Sequence, residues 1–469
     1  MRNILRKFGF GPKQPGFSDW NRLGRSVARH NATQLEGFHE GRIDEPSMQE
    51  DTRPPELAEA VLAEVVRLNA EGQGSKARDH FDPAYAPFVA QLQKGGRGLK
   101  FCAILGEDEF LVNQGTSHAK RTTWHIKGER ITEAETLSGF AWSRNRQHFL
   151  AVDTSGRITL SPAYGAVPTD IISPLTGAAF IPTGMPEALR ERYQPPIDKG
   201  SYSHLAVSDD GRKILLCDDE RGICLLRKTA TGWQPELLYP SIKLGLAEQM
   251  ADLEDGETFS VHLDMSHSAL SPDGRYAAFG TQDDGHYLID LDTPGGSDLH
   301  AKLGYLSEYP HDACFSDDSA FVTFNSCHFY NGVTFASNIA ETKGLDTPPY
   351  EEHPAQKVVN TYLRVYASAY LPQSMTGEPS GAFLLAGSGI ATCVTAEGKV
   401  LWELEFGSSA GSVDVCPKTG RILISSYSGM LHLLDPAKRQ QPPLAISYKP
   451  PLETHRWLFW ERLERPVVW

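Results

Sequence analysis

The sequence predicts an all-β chain folded as a β-propeller, most simply seven-bladed, with an N-terminal α-helical extension and insertions at the blade edges. Two observations lead there. A short grammar of strand, turn, strand, Gly-containing turn and strand recurs along the chain. The apolar runs between the turns are rich in β-branched and aromatic residues and do not keep the spacing near four that a helix requires.

Aligned on the turn after the first apolar run, the copies are FAWSRNRQHFLAVDTSGRITL (140–160), LAVSDDGRKILLCDDERGICLL (205–226), ALSPDGRYAAFGTQDDGHYLIDL (269–291), ACFSDDSAFVTFNSCHFYNGVTF (313–335) and VDVCPKTGRILISSYSGMLHLL (413–434). Each first turn opens on Ser or Cys and continues with Pro, Asp or Asn; such residues bond their own backbone, and a following Gly tolerates positive φ. The anchors Ser143, Ser208, Ser271, Ser316 and Cys416 lie 65, 63, 45 and 100 residues apart. The last interval holds a degenerate copy, GAFLLAGSGIATCVTAEGKVLWELEF (381–406), and a further copy fits FCAILGEDEFLVNQGTSHAKRTTWHIK (101–127). Seven such units, none able to bury both faces alone, stack most economically around a central axis.

SPDGRYAAF (271–279), VSDDGRKILL (207–216) and FSDDSAFVTF (315–324) resemble the blade signature of WD40-like and YVTN-type propellers, and TAEGKVLWELEF (395–406) resembles a quinoprotein-type blade. The resemblance covers residues 100–436 and implies a divergent propeller. No blade ends in a Trp-Asp pair, although Leu291-Asp292 and Leu434-Asp435 take similar places, and Trp402 alone does not make a quinone site.

The flanks divide the rest. Residues 1–50 are polar and weakly patterned, an expected loose arm; 51–96 form a helical extension; 97–440 the propeller; and 441–469 an aromatic tail packing on it. In DTRPPELAEAVLAEVVRLNAEG (51–72), Asp51 or Thr52 can cap, and Leu57, Val61, Leu62, Val65 and Leu68 form an apolar stripe. Insertions at 165–200 and 229–262 are expected to project from blade edges. In HRWLFWERLERPVVW (455–469), Trp457, Phe459, Trp460 and Trp469 either pack on the propeller or offer a binding surface.

Composition narrows the function. The net charge of −14 disfavours nucleic acid, and no apolar run is long enough to span a membrane or serve as an export signal, so a cytoplasmic location is expected. Seven widely spaced cysteines without zinc-ligand spacing read as reduced core residues. No dinucleotide-binding glycine motif, P-loop or HExxH is present. Asp-rich turns at 218–221 and 282–285 lack the continuation of a calcium loop.

The remaining candidates for chemistry stand four residues before the anchors: His204, His267 and Asp312, the last preceded by His311. With His262, these histidines are also the candidate ligands for a divalent metal, although no cofactor is expected. Two functions follow. A non-catalytic scaffold would bind a protein partner through a loop-decorated face, and an enzyme of the lactonase, lyase or hydrolase type would use His204, His267, His311 and Asp312 near the channel. Because the fold repeats cleanly and no catalytic set does, the scaffold is preferred.

Overall fold

The computed structural model describes residues 17–51, 53–83, 98–115, 121–134, 137–194, 196, 201–282, 284–294, 296–329, 331–438, 444–446 and 452–469. Five four-stranded antiparallel sheets follow one another along the chain. They are β1–β4 (Leu99–Gly106, Glu109–Gln114, Thr122–Lys127, Arg130–Glu133), β5–β8 (Leu137–Trp142, Phe149–Asp153, Ile158–Ser161, Asp170–Ile172) and β9–β12 (Tyr202–Val207, Lys213–Asp218, Gly222–Thr229, Gly232–Tyr239). Two more are β13–β16 (His267–Leu270, Tyr276–Gly280, His286–Thr293, Gly296–Leu303) and β17–β20 (Tyr309–Phe315, Phe321–His328, Asn331–Asn338, Lys357–Asn360). In each, strand order follows chain order, so every blade is a simple meander.

The expected seven blades are not what forms. The rest of the chain builds one curled eight-stranded sheet from β21 (Val365–Leu371), β22 (Ala382–Val394), β23 (Val400–Cys416), β24 (Arg421–Ser426), β25 (Met430–Leu434), β26 (Leu444–Ile446), β27 (Glu453–Leu458) and β28 (Val467–Val468). The cause is β23, which runs 17 residues without a break. Its first half pairs with β22 and its second half with β24, Ser409 facing Ser388 and Ala410 facing Ser426. The intervening Gly407-Ser408-Ser409-Ala410-Gly411 offers no Pro, Asp or Asn to open a turn, so two repeat copies share one strand.

The first strands touch in succession around a ring, β1 to β5, β9, β13, β17 and β21, and β23 returns to β1. Closure needs Gly411, because a Cβ there would lie 1.7 Å from the Leu99 carbonyl oxygen. Between successive sheets lie separate apolar cores. Leu150, Ile158, Ile214 and Leu216 fill one seam, and Ala278, Leu288, Phe324 and Phe335 another. Each fully buried aliphatic side chain contributes about 1.5–3 kcal/mol.

The repeated serines explain the sequence grammar. Ser208, Ser271 and Ser316 are buried, and each hydroxyl donates to the carboxylate two residues on: Asp210, Asp273 and Asp318, all at 2.6 Å. The same hydroxyls accept the amide five residues on, at 3.0, 2.8 and 2.9 Å. Ser143 uses Asn145 in the carboxylate's place. Ser271→Ala removes both bonds and leaves the Tyr276 amide buried without its acceptor. It should cost about 1–3 kcal/mol in urea unfolding; a variant as stable as the parent would show the turn to be set by Asp273 and Gly274 alone.

Helix α1 (Phe17–His39) occupies the stretch expected to be a loose arm, and α2 (Pro55–Ala70) follows. Leu57, Val61, Leu62, Val65 and Leu68 of α2 pack with Trp20, Leu458, Trp460, Val467 and Trp469. Asp51 does not cap α2; it pairs with Arg53 at 2.9 Å, while Pro54 holds the N-cap position without a side-chain bond. The Asn69 amide both donates to and accepts from the Val468 backbone at 2.8 Å, satisfying the edge strand β28. At its other end α1 is tied by His39 to Glu403 at 2.8 Å, the imidazole stacked on Tyr362.

The boundary drawn at residue 441 falls inside the last sheet, because β27 pairs directly with β25. Of the insertions, Tyr193 and Phe259 stack at 5.8 Å, and Met185, Leu246 and Met250 share a core with β10, β11, β14 and β15. All seven cysteines are buried and unbridged.

Candidate functional site

Among the described residues, two partly open cavities lie where the first strands come together. One, of about 250 Å³, lies where β9, β13, β17 and β21 begin, and it includes Lys100, His204, Asp219, Met265, His311 and Arg364 in its wall. A second, of about 300 Å³, shares Lys100, Ser203, His204 and Tyr366 with it and extends along the first strands past Asp312 and Ser368.

The histidines do not meet as a set. His204 and His311 face the first cavity. The imidazole of His311 donates from Nδ1 to the Val365 carbonyl at 2.5 Å and accepts at Nε2 from the Arg364 guanidinium at 3.1 Å. That pattern assigns a neutral Nδ1–H tautomer. Burial, with the neighbouring Arg364 charge, pushes its pKa down to about 3. Burial, then Lys100 and His311, hold His204 well below the usual imidazole range, and its Nδ1 has no partner.

His267 is buried between sheets, its ring 5.6 Å from that of His286 and so close to Gly280 that a Cβ there would lie 2.7 Å from the imidazole. His262 stands in solvent, 3.4 Å from Asp264. Asp312 lines the second cavity and accepts from the Ser368 hydroxyl, and burial raises its pKa to about 7. Among the described residues, no group of three or more His, Cys, Asp or Glu side chains could hold a metal ion.

The aromatic candidates are interior. Trp457, Phe459, Trp460 and Trp469 are all 2% exposed or less, so they are core rather than a binding surface. The Gly407–Gly411 stretch also has the Gly-x-Ser-x-Gly spacing of a nucleophile elbow, but it lies within β23 and makes no strand-to-helix turn.

The residues that distinguish the cavity mouth escaped the sequence reading. Phe329 follows His328, whose ladder partner is Asn331, so it sits in a two-residue hairpin connection. Its φ is 50°, and its side chain is 70% exposed. Met265, also at φ 50°, is 40% exposed, and Tyr427 is 41% exposed. Arg364 joins them: it donates to the Phe329 carbonyl at 2.7 Å and to the Met265 sulfur at 3.5 Å, and lies 4.9 Å over the Tyr366 ring. A bulky residue at a hairpin position that normally takes Gly or Asn was the available signal.

No protein-family model matches the chain, and no curated protein sequence matches it. Among solved structures, it is similar to the Cps50 (Swd1) β-propeller domain of Myceliophteria thermophila, at 11% identity and a TM-score of 0.44, covering 71% of this chain and 93% of that one. It is also similar to the WD40 β-propeller domain of Doa1, at 12% identity and a TM-score of 0.42, covering 73% and 94%.

Proposed function

We propose that the chain is a non-catalytic scaffold that binds a protein partner on the face around the first cavity. The observation that carries this reading is the rim itself: Met265 and Phe329 are exposed, apolar and held on left-handed backbone, and one guanidinium bonds to both. Left-handed backbone at a bulky residue costs about 1–3 kcal/mol and gathers at binding sites. Packing does not explain the choice of Phe329, because most of its side chain faces water.

The enzymatic alternative draws less support. His311 spends its nitrogens on Val365 and Arg364, and Asp312 is bonded to Ser368, so His311 and Asp312 do not pair with each other. No described helix is long and apolar enough to cross a membrane.

Phe329→Gly tests the proposal. Glycine accepts the backbone without strain, so thermal stability should stay level or rise by about 1 kcal/mol. Capture of peptides from a displayed random library by the purified chain should fall by about tenfold or more. Full capture by the variant would place the partner surface elsewhere.

A further inference from the structure

We infer that the cavity mouth is a receptor for a carboxylate carried on an acidic side chain of the partner, held by Lys100 and Arg364 while apolar partner residues pack on Met265, Phe329 and Tyr427. The inference rests on the scaffold reading and specifies what the partner presents.

In this acidic chain several buried or largely buried arginines are paired with carboxylates: Arg146 with Asp414, Arg221 with Asp218, and Arg78 and Arg456 with Glu453. Lys100 and Arg364 differ. Both line the first cavity, and neither has a carboxylate within ion-pairing distance among the described residues. The bonds of Arg364 go to a carbonyl, a sulfur and an imidazole, and its Nε has no partner. The Nδ1 of His204 is likewise buried and unsatisfied beside them. Polar groups left in that state are costly unless something else completes their bonding.

The acidic groups nearby act on Lys100 only from a distance and bond to serine hydroxyls instead. Asp219 accepts from the Ser266 hydroxyl at 2.5 Å, and Asp312 is bonded to Ser368. Burial, followed by the Arg121 charge, depresses the pKa of Lys100, and Asp219 and Asp312 offset only part of this, so a further anion beside Lys100 would favour its charged form. Arg364 bridges the two halves of the site, because the same guanidinium that faces the cavity also fixes the apolar rim. A short acidic side chain flanked by apolar residues fits both halves. A basic or wholly apolar segment would leave the cations unpaired.

The test uses a random dodecapeptide library displayed on phage, panned on the full chain, with the leading peptide then synthesised. The expected result is enrichment of Asp or Glu beside apolar residues. Binding of that peptide should weaken about tenfold or more on Arg364→Gln and on Lys100→Met. Changing the peptide's acid to its amide should cost a similar factor in the parent and little more in Arg364→Gln. Arg364 stands at the exposed rim, so its variant keeps the test informative if Lys100→Met does not fold. Peptides without an acidic preference, or unchanged binding by folded variants, would overturn the carboxylate receptor; loss of those same peptides on Phe329→Gly would still support the scaffold. Displacement of the peptide by an oligothymidylate probe would also overturn it, by showing a phosphate-backbone ligand. No enrichment of any peptide would sink both readings.

Discussion

Replacing Glu453 with Ala is expected to lower the unfolding free energy by about 3–5 kcal/mol, the largest loss foreseen for a single residue. Its carboxylate is fully buried and accepts from Arg456 Nε at 2.8 Å, Arg456 Nη2 at 2.6 Å and Arg78 Nη2 at 2.6 Å. Burial alone would raise its pKa; the two guanidiniums hold it well below the usual carboxylate range instead. Without it, Arg456, itself fully buried, would lose this counter-charge and the two hydrogen bonds made to it. Arg78 belongs to the segment before the first sheet, so the same change would loosen the N-terminal helices from β27. Urea unfolding of Glu453→Ala, and of Glu453→Leu combined with Arg456→Met, separates the pair from the packing. The double variant should recover part of the loss. A single variant within about 1 kcal/mol of the parent would show that the pair contributes little.

Acid should destabilise the fold from neutral pH downward, and more steeply below about pH 5. His286 is fully buried with no hydrogen-bond partner on either nitrogen among the described residues, and burial lowers its pKa to about 3. His311 is lowered to about 3, and His204 and His267 well below their ordinary value. Such groups leave stability intact above the unfolded imidazole pKa near 6.5 and remove it as pH falls toward the folded value, about 2 kcal/mol for a residue like His286 by pH 5.

Asp312 and Glu405 work the other way, because burial raises them to about 7 and about 8. Their strain is present at neutral pH and relaxes as they protonate, returning about 2 kcal/mol each between pH 7 and pH 5. That gain ends once they are protonated, while the histidine loss continues. With four such histidines set against two such carboxylates, the loss outweighs the gain, so the melting temperature should fall between pH 7 and about 5 and more steeply below it. His286→Leu should flatten the lower part of the profile. An equally steep fall in that variant would assign acid sensitivity to the ion pairs instead.

What was legible in the sequence was local chemistry. Ser271, Asp273 and Gly274 encode their turn within six residues, so the repeating hairpins could be read directly. The joined sheet could not, because the path of β23 depends on partners in β22 and β24 on either side of it. Helix α1 was hidden for a different reason. Its buried face alternates Trp20, Val27, Ala28 and Leu35 with Gly24 and Asn31, and Gly24 leaves room for Arg53, whose guanidinium lies 3.5 Å over Trp20. A stripe with small and polar members does not look apolar. At the channel, His204, His311 and Asp312 were found from their register before the anchor serines. His267 has the same register yet turns into the seam beside His286, a choice made by the neighbouring sheet. Arg364, Met265 and Phe329 come from unrelated connections and meet only in space.

The contacts that return β23 to β1 also bear on how the chain reaches this state in time. The Ile104 amide meets the Asp414 carboxylate at 2.7 Å across 310 residues, and Arg146 meets it at 2.6 Å across 268. Each meander can assemble from neighbours in sequence, but these bonds exist only after nearly the whole chain has been gathered. Before then, the open edges of the first and last sheets expose apolar seams that another molecule could occupy. Refolding yield should therefore be more sensitive to protein concentration than refolding of a single sheet would suggest, with Asp414 acting late, as the latch of the ring.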